Sequence, residues 1–363
     1  MNNLFVATSP LQLLSCYIIA NSIHEREENF LLLLGSNKWE NFESLKKMAS
    51  DNSTWKQIFI FHNWLGRKSK FSSLKTEIIS MQTTLKSIGQ INQVFLGTDK
   101  YTPLQFLVEL TGNSSYTRTE DGIWSYFSPD RHLLSKGLER LRMGLFRKLA
   151  GIRPLIKFNF NGTGRGQSAS ADYLFKPFLL ERPSPKPVTI SRNDIQKAMA
   201  KLAQGMNQYS NFSDDNLLLL LGSTIFERRK TTINDELALL EQIHKLCVRF
   251  NMKLIYKPHR AEKLEKLNYY QRNLPDIQFL NISDPIEVIY YLHGNLSMVI
   301  AHSSSGLLYA DLFAQRQITT IAIANLYGKD QVDSLTSKIL IKSGTRFPKD
   351  LKELEAIFIK SFS

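Results

Sequence analysis

Apolar residues fall in short runs separated by amphipathic stretches. LFVAT, FLLLLGS, KQIFIFH and QVFLGTD read as strands. Each is followed by a segment with helical spacing: PLQLLSCYIIANSI, WENFESLKKMAS, KFSSLKTEIISMQTTLKSI and YTPLQFLVELTG. A fifth run, SSYTRT, delivers the chain to Glu120. Near-continuous apolar strands alternating with helices predict βαβ units and a parallel sheet covered on both faces. After a helix, NDIQKAMAKLAQGM, the alternation resumes. NLLLLLGST, MKLIYKP, IQFLNIS, SMVIAHSSS and TTIAIANLYG read as strands. INDELALLEQIHKLCVRF, PIEVIYYLHG, SGLLYADLFAQ and the closing KDLKELEAIFIKSF read as helices.

Between the halves lies ERPSPKPVTIS, proline-rich and poor in apolar residues, which reads as a linker or crossover. The expected architecture is therefore α/β, with two doubly wound, Rossmann-like domains at 1–185 and 186–363. The last helix is free to cross back to the first domain. In such sheets ligands bind outside the carboxyl ends of the strands, so chemistry is sought immediately after each strand.

Composition changes this picture in two ways. The 363 residues are 43% hydrophobic and 22% charged, ordinary for a soluble protein of two domains. The formal charge of +13, however, implies an anionic partner such as a nucleotide, an acidic polymer or an acidic membrane surface. Cys16 and Cys247 are the only cysteines, which points to no disulfide framework and a reducing cytoplasm. The opening MNNLFVATSPLQLL has no basic n-region or small-residue cleavage site, and no apolar run reaches the roughly 18 residues of a membrane span. A cytoplasmic protein is expected, soluble or peripheral on the inner face of a membrane.

Much of the positive charge gathers between about 134 and 166. Lys136, Arg140, Arg142, Arg147, Lys148, Arg153, Lys157 and Arg165 face one acid, Glu139. Leu138, Leu141, Leu145, Phe146 and Leu149 recur at helical spacing. This basic amphipathic helix is either a solvated face over a packed stripe or a surface for anionic lipid or an acidic acceptor. No helix-turn-helix, zinc finger or RNA-recognition signature is present, so nucleic acid is not the expected partner.

The strand ends carry the candidate chemistry. After the first come Thr8 and Ser9, with Pro10 at the first turn of a helix; Ser9 is an N-cap, and the same terminus suits an anion. After SSYTRT come Glu120, Asp121 and Gly122, with Trp124 and Tyr126 beyond. In the second half Gly222 and Ser223 follow one strand, as a plain turn or a close approach to ligand. Lys257, Pro258, His259 and Arg260 follow another. A histidine between cations suits a phosphate or leaving-group role. Ser303, Ser304 and Ser305 precede a helix, as caps or as an anion site. GTGRG at 162–166 is not a phosphate-loop fingerprint and reads as a loop. Asp214 and Asp215 read as solvated charge. No DxD or HExxH motif suggests a metal.

TSPLQLL, EDG at 120–122, KPH at 257–259 and SSS at 303–305, in that order, resemble the motifs of bacterial sialyltransferases, including lipooligosaccharide sialyltransferases and capsular polysialyltransferases. That family places proline after the histidine; here Arg260 stands there and Pro258 comes before. The resemblance spans most of the chain. It implies a GT-B fold with the active site between two Rossmann-like domains, CMP-sialic acid as donor, inversion at the anomeric carbon and no metal or other cofactor. It also implies an N-terminal acceptor-binding domain, a C-terminal CMP-sugar domain and a glycan or glycolipid acceptor. On this reading Glu120 is the favoured base and Asp121 caps the turn or binds acceptor, though the two are exchangeable. Gly122 shapes the turn, and Gly122 and Trp124 belong to the acceptor side. His259, Lys257, Pro258 and Ser303 to Ser305 hold the CMP phosphate with Gly222 and Ser223. Thr8, Ser9 and Gln12 face the donor sugar. Glu287 is a ribose ligand or an ordinary first-turn acid.

Overall fold

A computed structural model describes residues 1–35, 43–62, 64–65, 71–99, 101–127, 133–155, 169–181, 184, 186–204, 206, 216–280, 284–327 and 334–362. The GTGRG segment, Asp214 with Asp215, and Lys157 and Arg165 of the basic stretch lie outside the described residues. The chain forms two compact units, Met1–Gln204 and Gly205–Ser363.

The first unit is a seven-stranded sheet of β1 (Asn2–Ala7), β2 (Glu28–Leu34), β3 (Gln57–Phe61), β4 (Gln93–Leu96), β5 (Tyr116–Thr119), β6 (Ala169–Leu174) and β7 (Pro187–Thr189). Its order is β3-β2-β1-β4-β5-β6-β7, and every pairing is parallel. Six successive residues of β2 are buried, as a strand covered on both faces must be. α1 (Pro10–Ser22) is apolar around its circumference and buried from Gln12 to Asn21. It is covered by α6 (Arg192–Ala203) and by α2 (Glu43–Ser50). α3 (Phe71–Ile88), α4 (Thr102–Leu110) and α5 (Leu133–Ala150) lie together on the sheet.

The second unit has five parallel strands: β8 (Asn216–Leu221), β9 (Met252–Lys257), β10 (Gln278–Phe279), β11 (Leu296–Ala301) and β12 (Thr319–Ala322). Their order is β10-β9-β8-β11-β12. The helices are α7 (Ile233–Arg249), α8 (Leu264–Asn273), α9 (Ile286–Leu292), α10 (Ala310–Phe313), α11 (Ser334–Lys342) and α12 (Leu351–Phe362). α7 starts at a capping box of Thr232 and Asp235. The closing helix, expected to be free to cross back, buries Leu354 and Phe358 in this unit's own core.

Four sequence readings need correction. The boundary lies at 204/205 rather than 185/186. The supposed linker contains β7, which pairs with β6, and α6 packs on α1, so both belong to the first unit. β6 was not visible in the pattern, because its Asp172 is polar yet buried by a bidentate ion pair with Arg118 of β5. α8 was missed because its sequence is mostly polar. The single helix expected over SGLLYADLFAQ is a 3-10 turn, Ser305–Leu308, followed by the one-turn α10. No helix among the described residues is long and apolar enough to cross a membrane.

Candidate active site

Strand order reverses between β1 and β4 in the first sheet, and between β8 and β11 in the second. Ligands of doubly wound sheets bind at such reversals, beyond the strands' carboxyl ends.

At the first reversal Ser9 caps α1, accepting from the Gln12 amide, and Thr8 is exposed. Gln12 is buried and does not face outward. Its Oε1 accepts from the Thr8 N–H (2.8 Å) and hydroxyl (2.9 Å), and its Nε2 donates to Asp121 Oδ1 (2.6 Å). Gln12 thus bridges Thr8 to Asp121. A Cβ at Gly97, just past β4, would lie 2.3 Å from the Gln12 side chain, so glycine there makes room for this bridge.

β5 ends directly at Glu120, which is fully buried. Glu120 Oε2 accepts from the Tyr126 hydroxyl (2.5 Å) and the Phe175 N–H (3.1 Å). Tyr126 is therefore a core residue that clamps Glu120. Asp121 is partly exposed, and its N–H donates to the Ser125 hydroxyl (2.7 Å). Gly122 turns the chain at φ +80°, a conformation that disfavours any side chain. Trp124 is 44% exposed and lies against Phe127 at 5.0 Å between ring centroids. Of the two carboxylates, Asp121 is the one solvent reaches in this conformation.

In the second unit the sheet register aligns three strand ends. Leu221 pairs with Ala301 on one side and Lys257 on the other. The turns beginning at Gly222, Pro258 and His302 therefore leave the sheet at one level. Lys257 is partly buried; burial pulls its ammonium down while the Glu287 and Asp284 charges hold it up. His259 belongs to the exposed surface. Its Nδ1 accepts from the Ala261 N–H (3.1 Å), so the neutral ring carries its proton on Nε2. Partial burial and the neighbouring Arg260, Arg228 and Lys257 lower its pKa below the ordinary histidine range. The ring is neutral at pH 7 and offers an Nε2–H donor.

The serine triplet divides its work. Ser304 accepts from the Gly306 N–H, closing the 3-10 turn, and Ser303 bonds to His302 Nδ1 (3.0 Å). Ser305 is exposed. Glu287, in the first turn of α9, is buried, and burial pushes its carboxyl up to about 7 against the pull of Lys257. Its folded pKa stands above the ordinary 4.5, so its contribution to stability is complete below 4.5 and is lost as pH rises through 7. Glu287→Gln is expected to remove that loss. Between about pH 5 and pH 8, urea unfolding should show the variant gaining roughly 2.5 kcal/mol on the parent chain. An unchanged difference across that range would place the carboxylate in a polar setting instead.

Sequence reasoning missed two members of these sites. His302 and Glu262 had not been singled out. Glu262 Oε2 accepts the His259 backbone N–H (2.5 Å). Both contacts are local, His302 to the adjacent Ser303 and Glu262 to His259 three positions back, but a polar residue in a loop carries no periodicity that announces its partner.

Comparison with known proteins adds family and fold. Residues 3–322 match the alpha-2,8-polysialyltransferase family (POLYST). No curated protein matches the chain at a significant level. Among solved structures the chain is similar to the UDP-GlcNAc 2-epimerase from Neisseria meningitidis bound to UDP-GlcNAc: 13% identity, 99% of this chain, 91% of that chain, TM-score 0.54. It is similar to a UDP-N-acetylglucosamine 2-epimerase from Listeria monocytogenes at 10% identity, covering 99% and 87%, with TM-score 0.60. It also resembles Arabidopsis thaliana UGT89C1 complexed with UDP-L-rhamnose at 10% identity, covering 100% and 89%, with TM-score 0.50. At these identities the likeness is one of fold, and that fold is GT-B. The match over nearly the whole chain, on a GT-B fold, means that the chain belongs to the alpha-2,8-polysialyltransferase family and is a sialyltransferase-type glycosyltransferase.

Proposed function

We propose that this protein transfers sialic acid from CMP-sialic acid to a sialoside or galactoside acceptor of a bacterial surface glycan, inverting the anomeric carbon without a metal. The observation that carries the reading is the alignment of Lys257, His259 and the Ser303–Ser305 turn at one edge of the second sheet. The family's description favours a sialoside acceptor and a growing chain.

The acceptor hydroxyl attacks the anomeric carbon and gives its proton to the Glu120–Asp121 pair. The bond from the anomeric carbon to the phosphate oxygen breaks, and its electrons leave with CMP. The His259 Nε2–H meets the charge that develops on that phosphate, the task a metal performs in other transferases, while Lys257 holds the phosphate of the bound donor. Glu287, when ionised, accepts from ribose hydroxyls.

The deciding experiment supplies CMP-sialic acid and a labelled sialoside, with EDTA present. Products heavier by whole sialyl residues are expected. No product with this donor, where another nucleotide sugar is consumed, would sink the reading.

α5 suits a peripheral contact with anionic lipid. Leu138 and Leu141 are 69% and 75% exposed, beside exposed Arg140 and Lys148. Flotation with vesicles rich in phosphatidylglycerol should retain the protein, and Leu138→Ser with Leu141→Ser should release it. Equal flotation of parent and double variant would discount α5.

A further inference from the structure

Beneath the donor-side turns of the second unit lies a buried ionic network that the proposed chemistry does not use. Lys266 of α8 is 1% exposed, and its ammonium meets Glu236 (2.6 Å) and Glu262 (2.8 Å), with Glu227 at 3.8 Å. Three carboxylates around one cation would repel a donor phosphate rather than bind it. Burial pushes the Glu236 carboxyl up, against the pull of the Lys266 ammonium. Buried charges of this kind cost desolvation and are weak evidence for stability alone.

The network's other bonds run outward to the two turns. The Lys266 ammonium also donates to the Ser223 carbonyl (2.8 Å). Glu262 Oε1 accepts from the Tyr256 hydroxyl (2.6 Å), while its Oε2 takes the His259 backbone N–H (2.5 Å). Glu227 Oε1 accepts the Lys263 N–H (3.1 Å), and the Gly222 N–H donates to the Lys257 carbonyl (2.8 Å). A Cβ at Gly222 would stand 2.1 Å from Glu262 Oε2. Glycine there leaves room for the Glu262 carboxylate.

We propose that Glu262 and Lys266 are positioning residues. Glu262 holds the His259 turn through its backbone N–H, and Lys266 ties that carboxylate to the Ser223 turn, fixing the spacing at which the His259 Nε2–H and the residue 222–223 backbone meet the donor phosphate. The proposal rests on the donor-site reading above. It extends that reading from the surface residues to the side chains that aim them.

The test uses CMP as probe, with the dissociation constant measured by calorimetry and the fold followed by cooperative unfolding. Glu262→Leu removes the acceptor for the His259 N–H and is expected to weaken CMP about tenfold or more. Glu262→Gln restores an acceptor oxygen of the same shape and should recover most of that loss. Lys266→Met and Gly222→Ala, which release or displace the same carboxylate, should both weaken CMP. They keep the test open if Glu262→Leu does not fold. A purely structural network would lower the unfolding midpoint in all four while leaving CMP affinity within about twofold of the parent. That result overturns the proposal. Failure of the unaltered chain to bind CMP would instead refute the donor-site reading, whatever the variants do.

Discussion

Asp121→Asn and Glu120→Gln are each expected to lower turnover about 10²–10⁴-fold, the range for loss of a general base, with CMP affinity unchanged. The two carboxylates are built differently, and the pair of variants reads that difference. Glu120 is fully buried, clamped on Oε2 by Tyr126 and the Phe175 N–H. Asp121 is partly exposed and held by Gln12. Glutamine at 120 still presents a carbonyl oxygen to both donors, so this variant should fold. The residue whose amide costs more takes the proton; the other holds the turn. Single-turnover rates measured beside CMP calorimetry separate chemistry from binding. Wild-type turnover in both variants would remove the acidic pair from the mechanism.

His259→Ala should cost about 10²–10³ in kcat, the usual size for one donor aimed at developing charge, and should weaken CMP as well. Its Nδ1 is committed to the Ala261 N–H, so Nε2 is the working nitrogen. Asparagine at 259 cannot reproduce that arrangement and should not rescue. Lys257 stands apart from this effect. It is partly buried and balanced by Glu287 and Asp284, so Lys257→Met should act mainly on donor affinity. Full turnover by His259→Ala, with only Kd changed, would make the histidine a binding group alone.

Most of the strands and the loops after them were legible because both sheets are parallel and buried. Runs such as Leu217 to Leu221 then stand out from the helices that cover them. The motifs could be placed because each follows such a run. Much of what escaped depends on partners distant in sequence. Asp172 reads as loop chemistry until Arg118 neutralises it. Lys266 sits on a helix whose sequence looks solvated, although its neighbours are carboxylates of the 222–236 and 257–262 segments. Gln12 looked like a ligand contact at a helix start, and its geometry ties it to Asp121, over one hundred positions away. The division at 204 rather than 185 has the same origin. Three prolines suggested a linker, yet Pro187 opens an edge strand, a position where a missing N–H is tolerated.

The most direct measurement is of the transferred sugar itself. The purified chain is incubated with CMP-sialic acid, EDTA and parallel panels of labelled sialosides and galactosides, and products are read by mass. The account predicts a ladder of sialyl additions on the sialosides, abolished by His259→Ala and by the more damaging of the two acidic-pair variants. Consumption of a different nucleotide sugar with no sialyl product, or a rate that EDTA abolishes and a divalent metal restores, would contradict it.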